Sequence, residues 1–565
     1  MKTVIVLVLA ATLAACGHDH ALDPGSGGGA GSGSGTGSPD GGAPAQPCSD
    51  AVASDPDVQQ MLPATLDTTF PSTPGQTLHV AAGGDLQAAL DSAQPGDQIT
   101  IDAGATFTGP FTLPSKSGDG WIVVRSADPE LPAAGTRVTP ADAAHMPKIL
   151  APNSESAFVT AAGAHHFRLV GLEIAPVDAN AMVYVLVQLG DGATTQLSDV
   201  PHDLVLDRLY VHGTPTGYLK RGIGIDSART AVIDSYVGDC HAVGQDAQAI
   251  ACFNGPGPFK IVDNYLEGSG ENVIFGGADP KIPNLVPADI EIRRNYFSKP
   301  LTWKTDDPSY AGTHWSVKNL LELKNAERVL VQCNVFEHNW ADAQVGLSIL
   351  MTPRNQDGSA PWCAVSDVTV VDNVVRDVAS GFNLAGEDDL HPSQETQRIV
   401  VANNLVYGLD PAKWGGDGRS FQVTTPGRPI LGLKIAHNTV FTVGNATVSA
   451  GDTMPVAQDF VFRDDLVSHG SYGVFGSGKG EGTAALDFYF PGWKFDHDVG
   501  IGFPAQSYPT GNAFPATPAD VGFVDYAGGD YRLGAASLYK GTASDGTDPG
   551  ADIDRLLSGI AGVAP

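Results

Sequence analysis

The chain has 565 residues, 42% hydrophobic and 17% charged, with Gly 68 and Pro 40, which is enough apolar material for one long repetitive domain or two to three compact ones. Lys and Arg number 32 against 63 Asp and Glu, a formal charge of −31. A field of that sign repels nucleic acid and anionic membrane surfaces, excludes a nucleic-acid partner, and concentrates divalent cations.

Met1-Lys2 supplies a basic start, Val4 to Leu13 a short apolar run, and Leu13-Ala14-Ala15-Cys16 follows. The run is too short to span a bilayer with these flanks and reads as a signal peptide over residues 1–15. Leu-Ala-Ala-Cys resembles the bacterial lipobox. That resemblance implies cleavage before Cys16, lipidation of Cys16, and a protein held by acyl chains at the cell envelope, on an outer membrane or the cell surface. Residues 16–76 are a tether and lead-in. From Pro24 to about Pro47 they are almost all Gly, Ser, Ala and Pro, and from Asp50 to Gly75 they are turn-rich and expected to drape over the fold.

The later cysteines are Cys48, Cys240, Cys252, Cys333 and Cys363, and their spacing matches no zinc pattern. Export permits disulfides, and Cys240–Cys252 and Cys333–Cys363 are conceivable pairs, with buried free thiols an equal alternative.

Order begins at Thr77. Asp85 is placed to N-cap a helix in which Leu86, Ala89, Leu90 and Ala93 fall on one face, and Pro95-Gly96-Asp97 stops it. Period-2 alternation then takes over. A short amphipathic helix ahead of a long β region is what the open end of a solenoid needs, since its first coil otherwise exposes core and strand edge.

Then a repeat appears. Ile261-Val262-Asp263-Asn264-Tyr265-Leu266, Ile292-Arg293-Arg294-Asn295-Tyr296-Phe297 and Val370-Val371-Asp372-Asn373-Val374-Val375 share an apolar strand, a polar turn and an apolar strand. The period runs from about 26 to 39 residues. Asn264, Asn295, Asn334, Asn373, Asn404 and Asn438 occupy one position in six consecutive units, and Asp465 follows in the seventh. Coils stack about 4.8 Å apart. A column of Asn at one turn bonds side chain to neighbouring backbone and tolerates left-handed geometry. The expected fold is all-β, a right-handed parallel β-helix over 77–553 with an N-terminal capping helix and a C-terminal tail over 554–565.

The cap helix, Gln94-Pro95-Gly96-Asp97, the Asn column and the ending Asp530-Tyr531-Arg532-Leu533 with Asp548-Pro549-Gly550-Ala551-Asp552 together resemble the pectin-lyase-like right-handed β-helix superfamily. The resemblance covers nearly all of the mature chain. It implies the fold and leaves the chemistry open among lyases, hydrolases, epimerases, esterases and non-catalytic adhesins.

A second strand recurs in each unit, as in Ile223-Gly224-Ile225-Asp226, Leu321-Glu322-Leu323-Lys324 and Phe382-Asn383-Leu384-Ala385. Alternation turns the first and third residues inward and the second and fourth outward. Asp226, Glu322, Lys324, Asn383 and Gln422 are thus sparse polar groups on a face flanked by insertions, a groove fit for an extended glycan. Asn319 to Arg328 is similar to the chondroitinase-B and alginate-lyase group around its lysine, which implies Lys324 as base, with Arg354 as the nearest arginine on the next coil and Glu322 beside it. Asn319 and Val317 stand where that group places calcium-binding acids. Lys220 and Arg221, with Asp226, form a charged patch for a polyanion, and Trp340 is a candidate platform for a sugar ring. Glu387, Asp388 and Asp389 crowd three carboxylates into one loop, a candidate Ca²⁺ site.

The expectation is a monomeric cell-surface protein that cleaves an acidic, uronate-containing polysaccharide by β-elimination. A non-catalytic glycan- or partner-binding lipoprotein is the alternative, and a glycoside hydrolase a second one.

Overall fold

The structure is a computed structural model that describes Cys48 and residues 61–565, apart from Ala181 and Asp452. Cys16 and the leader therefore lie outside the described residues. The body is a parallel β-helix. Strands recur in threes and stack into sheets of 15, 13 and 13 strands, here called sheets 1, 2 and 3. Sheet 1 carries the strand before each Asn, sheet 2 the strand after it, and sheet 3 the candidate groove strands. Register is continuous: Ile261, Ile292, Val331, Val370, Val401, Ile435, Phe462 and Phe495 pair in sequence along sheet 1.

The inward residues form one core running the length of the stack. Inside it aromatic rings stack coil over coil, Phe297 on Phe336 at 4.4 Å and Phe382 on Phe421 at 5.1 Å. The helix Leu86–Ser92 closes the N-terminal end. Asp85 accepts the N–H of Ala88 as its cap, and Leu86 and Leu90 point into the core.

The Asn column is a closed hydrogen-bond ladder. The Oδ1 of Asn334 accepts the backbone N–H of Asn295 at 2.8 Å and its side-chain amide at 3.1 Å, and the amide of Asn334 donates to Ile292 O and to Asn373 Oδ1. All six asparagines are fully buried, so each unmade bond would carry a desolvation cost. The left-handed residue is not the Asn but its predecessor: Asp263, Arg294, Cys333, Asp372, Asn403 and His437 all have φ between 52° and 59°. That kink turns the following Asn inward, where its amide meets the coils on both sides.

The chain ends strap the outside of the stack. Residues 61–76 run back toward the capped end, with Met61 packed on Leu330, Val371 and Val400, Leu66 on Val205 and Val262, and Phe70 against Val123 and Val170. The coils stop at Val499–Ile501, short of residue 553, because the chain then turns outward through the hairpin Phe523–Asp525 and Asp530–Leu533. The expected tail is instead a docked helix, Ile553–Gly559, whose Ile553 and Leu556 cover Tyr296, Val335, Val374 and Leu405. Cysteine pairing also departs from expectation. Cys48 is bonded to Cys333, and Cys240, Cys252 and Cys363 are buried free thiols. Cys240 and Cys252 both face the core, from strands of different sheets of one coil, Tyr236–Cys240 in sheet 2 and Gln248–Cys252 in sheet 3.

Candidate functional site

Sheet 3 presents its outer face between two walls of inserted loops. On the side where its strands begin, Trp303, Trp315, Trp340 and Trp414 pack into one apolar cluster with Val317. On the side where they end, Asp279 Oδ2 accepts the N–H groups of Asp357 and Ser359, and Trp362 Nε1 donates to Leu285 O. These bonds tie two long insertions together, so the walls are built structure. Between them the alternation expected from sequence is present: Ile223, Ile225, Leu321, Leu323, Phe382 and Leu384 are in the core. Glu322, Leu350, Asn383 and Gln422 form one outer column in register.

A second outer column runs Arg221, Gln248, Glu271, Asn319. It is a polar relay: Arg221 Nε donates to Gln248 Oε1 at 3.2 Å, and Gln248 Nε2 donates to Glu271 Oε2 at 2.7 Å. Glu271 has no exposed surface, and Glu322, on the next coil and paired with Ile274, is 1% exposed. Burial, then the neighbouring Glu322 and Asp246 carboxylates, push the Glu271 carboxyl well above the ordinary glutamate range. Lys318 answers these charges. Its Nζ lies 2.6 Å from Asp246 and 3.4 Å from Glu271. Burial works against the Lys318 ammonium, but Glu271 and Asp246 outweigh it and raise its pKa. Below the relay, the fully buried Lys299 donates to Ser269 O, Gly270 O and Asn272 Oδ1 and shapes the turn that delivers Glu271; burial pulls its pKa down to about 7.

Lys324 sits on the same strand face as Glu322, with Nζ 3.2 Å from Oε1, and the other carboxylate oxygen of Glu322 is buried with no hydrogen-bond partner. Arg354 follows on the next coil, its N–H donating to Lys324 O. Its Nη1 is 2.9 Å from Asp388 and 2.7 Å from Asp389. Lys324 and Glu322 are thus paired, while Arg354 joins them through its backbone and turns its guanidinium to Asp388 and Asp389.

The structure distributes the other candidates differently. Glu387, Asp388 and Asp389 do not converge on a common point: Glu387 binds Arg428, Asp388 binds Arg354 and the N–H groups of Asn355 and Leu390, and Asp389 shares Arg354. Guanidinium groups and backbone donors occupy those oxygens, so the donor set does not fit Ca²⁺. The position a cation would take beside Asp246 and Glu271 holds the Lys318 ammonium. Trp340 is 6% exposed and packs inside the tryptophan wall, where no sugar face reaches it. Asp226 is taken by two backbone N–H groups, of Phe253 and Asn254, each at 2.7 Å, and closes a turn. Arg221 stands over the Phe253 ring at 4.6 Å and Lys220 near Tyr184 at 5.8 Å, both part-exposed at the capped end of the face. Asn383 accepts from Gln422 at 3.1 Å.

Sequence reasoning passed over Lys318 and Asp246. Lys318 neighbours Asn319 in the segment that carried the lyase likeness, but Asp246 lies in a loop 72 residues earlier and nothing local joins the two. A cleft of about 1020 Å³ lies elsewhere, between the C-terminal strap and sheet 1. Its charged walls are strap pairs such as Lys540–Asp548 and Arg532–Asp530, which hold the strap in shape.

No family model matches the chain, and no curated protein matches it. Several solved structures are similar to it. An alginate lyase from Paenibacillus sp. strain FPU-7 aligns at 13% identity over 74% of this chain and 98% of its own, with a TM-score of 0.28. A mannuronic acid-specific family 6 polysaccharide lyase from human gut microbiota aligns at 11% identity over 79% and 84%, with a TM-score of 0.40. The catalytic unit of a GH87 α-1,3-glucanase from Streptomyces thermodiastaticus strain HF3-3 aligns at 12% identity over 80% and 71%, with a TM-score of 0.42.

Proposed function

We propose that this is a carbohydrate-active β-helix protein that takes an acidic, uronate-containing polysaccharide along the outer face of sheet 3 and cleaves it by β-elimination. The observation that supports this most is the set Lys318, Lys324 and Arg354. Three cations stand on two consecutive coils between loop walls, backed by the deeper carboxylates Glu271, Glu322 and Asp388. Positive charge held in place before substrate arrives is worth more than charge that must be reorganised.

In this reading Lys318, at the other end of the strand Asn319–Leu323 from Lys324, binds a uronate carboxylate elsewhere along the bound polymer. Glu322 takes a proton from Lys324, whose free amine then removes the C5 proton. The C4–O bond breaks, a C4–C5 double bond forms, and the departing oxygen takes the proton held on Glu322, which leaves Lys324 as the ammonium and Glu322 as the carboxylate again. Arg354, held by Asp388 and Asp389, binds the neighbouring sugar acid as a fixed cation.

The test is absorbance of the unsaturated uronate product from alginate, pectate and glycosaminoglycans, with Lys324→Ala and Lys318→Ala beside the wild type. Product formed by the wild type and lost in Lys324→Ala supports the reading. No product from any of these polymers, or wild-type rates in both variants, removes it. The ion pair between Lys324 and Glu322, at 3.2 Å, favours a second reading, binding without turnover, because it holds the lysine head in place as a contact for an anionic sugar. Glycan binding that Lys324→Ala weakens, with no product, selects it. We further propose that the protein acts as a monomer anchored to the envelope through lipid on Cys16. Mass spectrometry of the N-terminal peptide and the retention of a Cys16→Ser variant check the anchor.

A further inference from the structure

Away from the groove, on the outer face of sheet 1 near the capped end, three imidazoles meet. His165 and His166 open the strand His165–Val170, and His202 opens the strand His202–Asp207 on the next coil, paired in register with His165. Neighbouring residues of a strand ordinarily point to opposite faces. His166 does not, because its φ of 58° is left-handed and brings its ring back beside His165, with the two Nδ1 atoms 2.7 Å apart. The rings of His165 and His202 lie parallel at 4.8 Å. One nitrogen from each ring can be chosen so that all three lie within 4.8 Å of one another, and no other three His, Cys, Asp or Glu side chains gather this closely among the described residues.

The surroundings are arranged as a metal-binding imidazole requires. A ligating histidine commonly gives its second ring N–H to a carboxylate, which sets the tautomer and aims the other nitrogen. Asp203 Oδ2 lies 2.7 Å from His202 Nδ1 and 4.0 Å from His166 Nδ1. Asp203 is itself held by Arg229, through Nε at 2.8 Å and Nη2 at 2.6 Å. Arg229 Nη2 also lies 2.9 Å from His202 Nδ1, and in the tautomer in which Nδ1 donates to Asp203 the Nε2 of His202 is the nitrogen open to a metal. The Trp121 ring stands edge-on to His166 at 5.2 Å and forms one side of the site.

We propose that His165, His166 and His202 form a binding site for a divalent first-row transition metal of the zinc, nickel or copper class, with Asp203 as the carboxylate that orients His202. Imidazole nitrogens select these ions over calcium and magnesium, which take oxygen. The site is separate from the sheet 3 groove and does not depend on the lyase reading. It fastens two consecutive coils beside the point where Arg168 holds the lead-in through Thr68 O at 2.8 Å.

The experiment is a Zn²⁺ titration of the full, chelator-stripped chain by calorimetry, with His166→Ala, His202→Gln and Asp203→Asn, and with His18→Ala/His20→Ala to remove the histidines near the N-terminus. Expected are about one strong site in the wild type, its loss in the two cluster variants, about 10–100-fold weaker binding in Asp203→Asn, and no change in the N-terminal variant. A second readout needs no folding-sensitive histidine change: Ni²⁺ quenches part of the wild-type tryptophan emission, and Trp121→Phe removes that part. Absence of a strong site in the wild type, or a site lost only in the N-terminal variant, overturns the proposal.

Discussion

The Oδ1 of Asp465 accepts both the backbone N–H of Asn438, at 2.7 Å, and its side-chain amide, at 2.9 Å. The ladder therefore continues from amide to carboxyl without a break in geometry, but not in chemistry. The second oxygen of Asp465 is buried without a partner, and Asp498 stands on the next coil in the same condition.

Burial, against the hydrogen bonds from Asn438, raises the Asp465 pKa, with Asp464 adding to the rise, and burial and then the Asp465 carboxylate raise that of Asp498. A carboxyl whose folded pKa is raised contributes stability that is fully present below its ordinary value of about 4 and is lost as pH climbs through the raised one. Asp465→Asn keeps the acceptor, removes the charge and adds a donor. It is expected to stabilise the protein at pH 8 by roughly 1–3 kcal/mol and to change little at pH 4. Thermal melts at the two pH values check this; an equal effect at both removes the explanation.

In mid-ladder the sign reverses. Asn334→Ala leaves the N–H and amide of Asn295 without their acceptor and Ile292 O without its donor, all in the interior. Orphaned buried groups cost about 1–3 kcal/mol each, so a loss of several kcal/mol is expected in urea denaturation. A loss under about 1 kcal/mol would mean that water enters the column and replaces the amide.

Lys318→Met removes the cation from Glu271 while Glu322 stays beside it. Breaking a buried pair from one side costs about 3–5 kcal/mol. Because the Glu271 pKa is already raised, its protonation relieves the cost at low pH and not at high pH. The variant is expected to melt further below the wild type at pH 8 than at pH 5, and to bind acidic polysaccharide more weakly at both. A pH-independent difference in melting would place the Lys318 contribution elsewhere.

Where the two straps meet, Gly559 lies against the Cys48–Cys333 bond. A Cβ on Gly559 would stand 2.7 Å from Cys333 Sγ. Gly559→Ala is expected to lift the C-terminal helix and cost about 1–3 kcal/mol, the range for overpacking. Calorimetric melting tests it, and a variant as stable as the wild type would show that the helix shifts freely.

How much of this was legible beforehand depends on the range over which each feature is encoded. The capping helix could be read because Asp85, Leu86 and Leu90 lie within one or two turns. The Asn column could be read because each coil repeats the same strand, turn and strand. The position of the left-handed residue was misplaced by one, since the pattern marks which turn is tight and not which φ carries it. Glu322 and Lys324 could be placed on one strand face because alternation is local, whereas Arg354 lies in the loop after Leu347–Met351 and was suggested only by the likeness to the lyase group. Trp340 was misjudged because whether a loop tryptophan faces solvent or three other tryptophans depends on loops up to about seventy residues away.

The amino-acid sequence by itself determined that the chain winds into coils, where the core strands lie and which amides line the corner, because those follow from period-2 alternation and from a side chain that bonds to its own image one coil away. Only the tertiary structure decided which groups share a site. Coils of unequal length lie level in space, so Asp246 meets Lys318 from 72 residues off, Cys48 meets Cys333 from 285, and His202 meets His165 across a single coil. The inserted loops set those distances along the chain, and no local pattern encodes them.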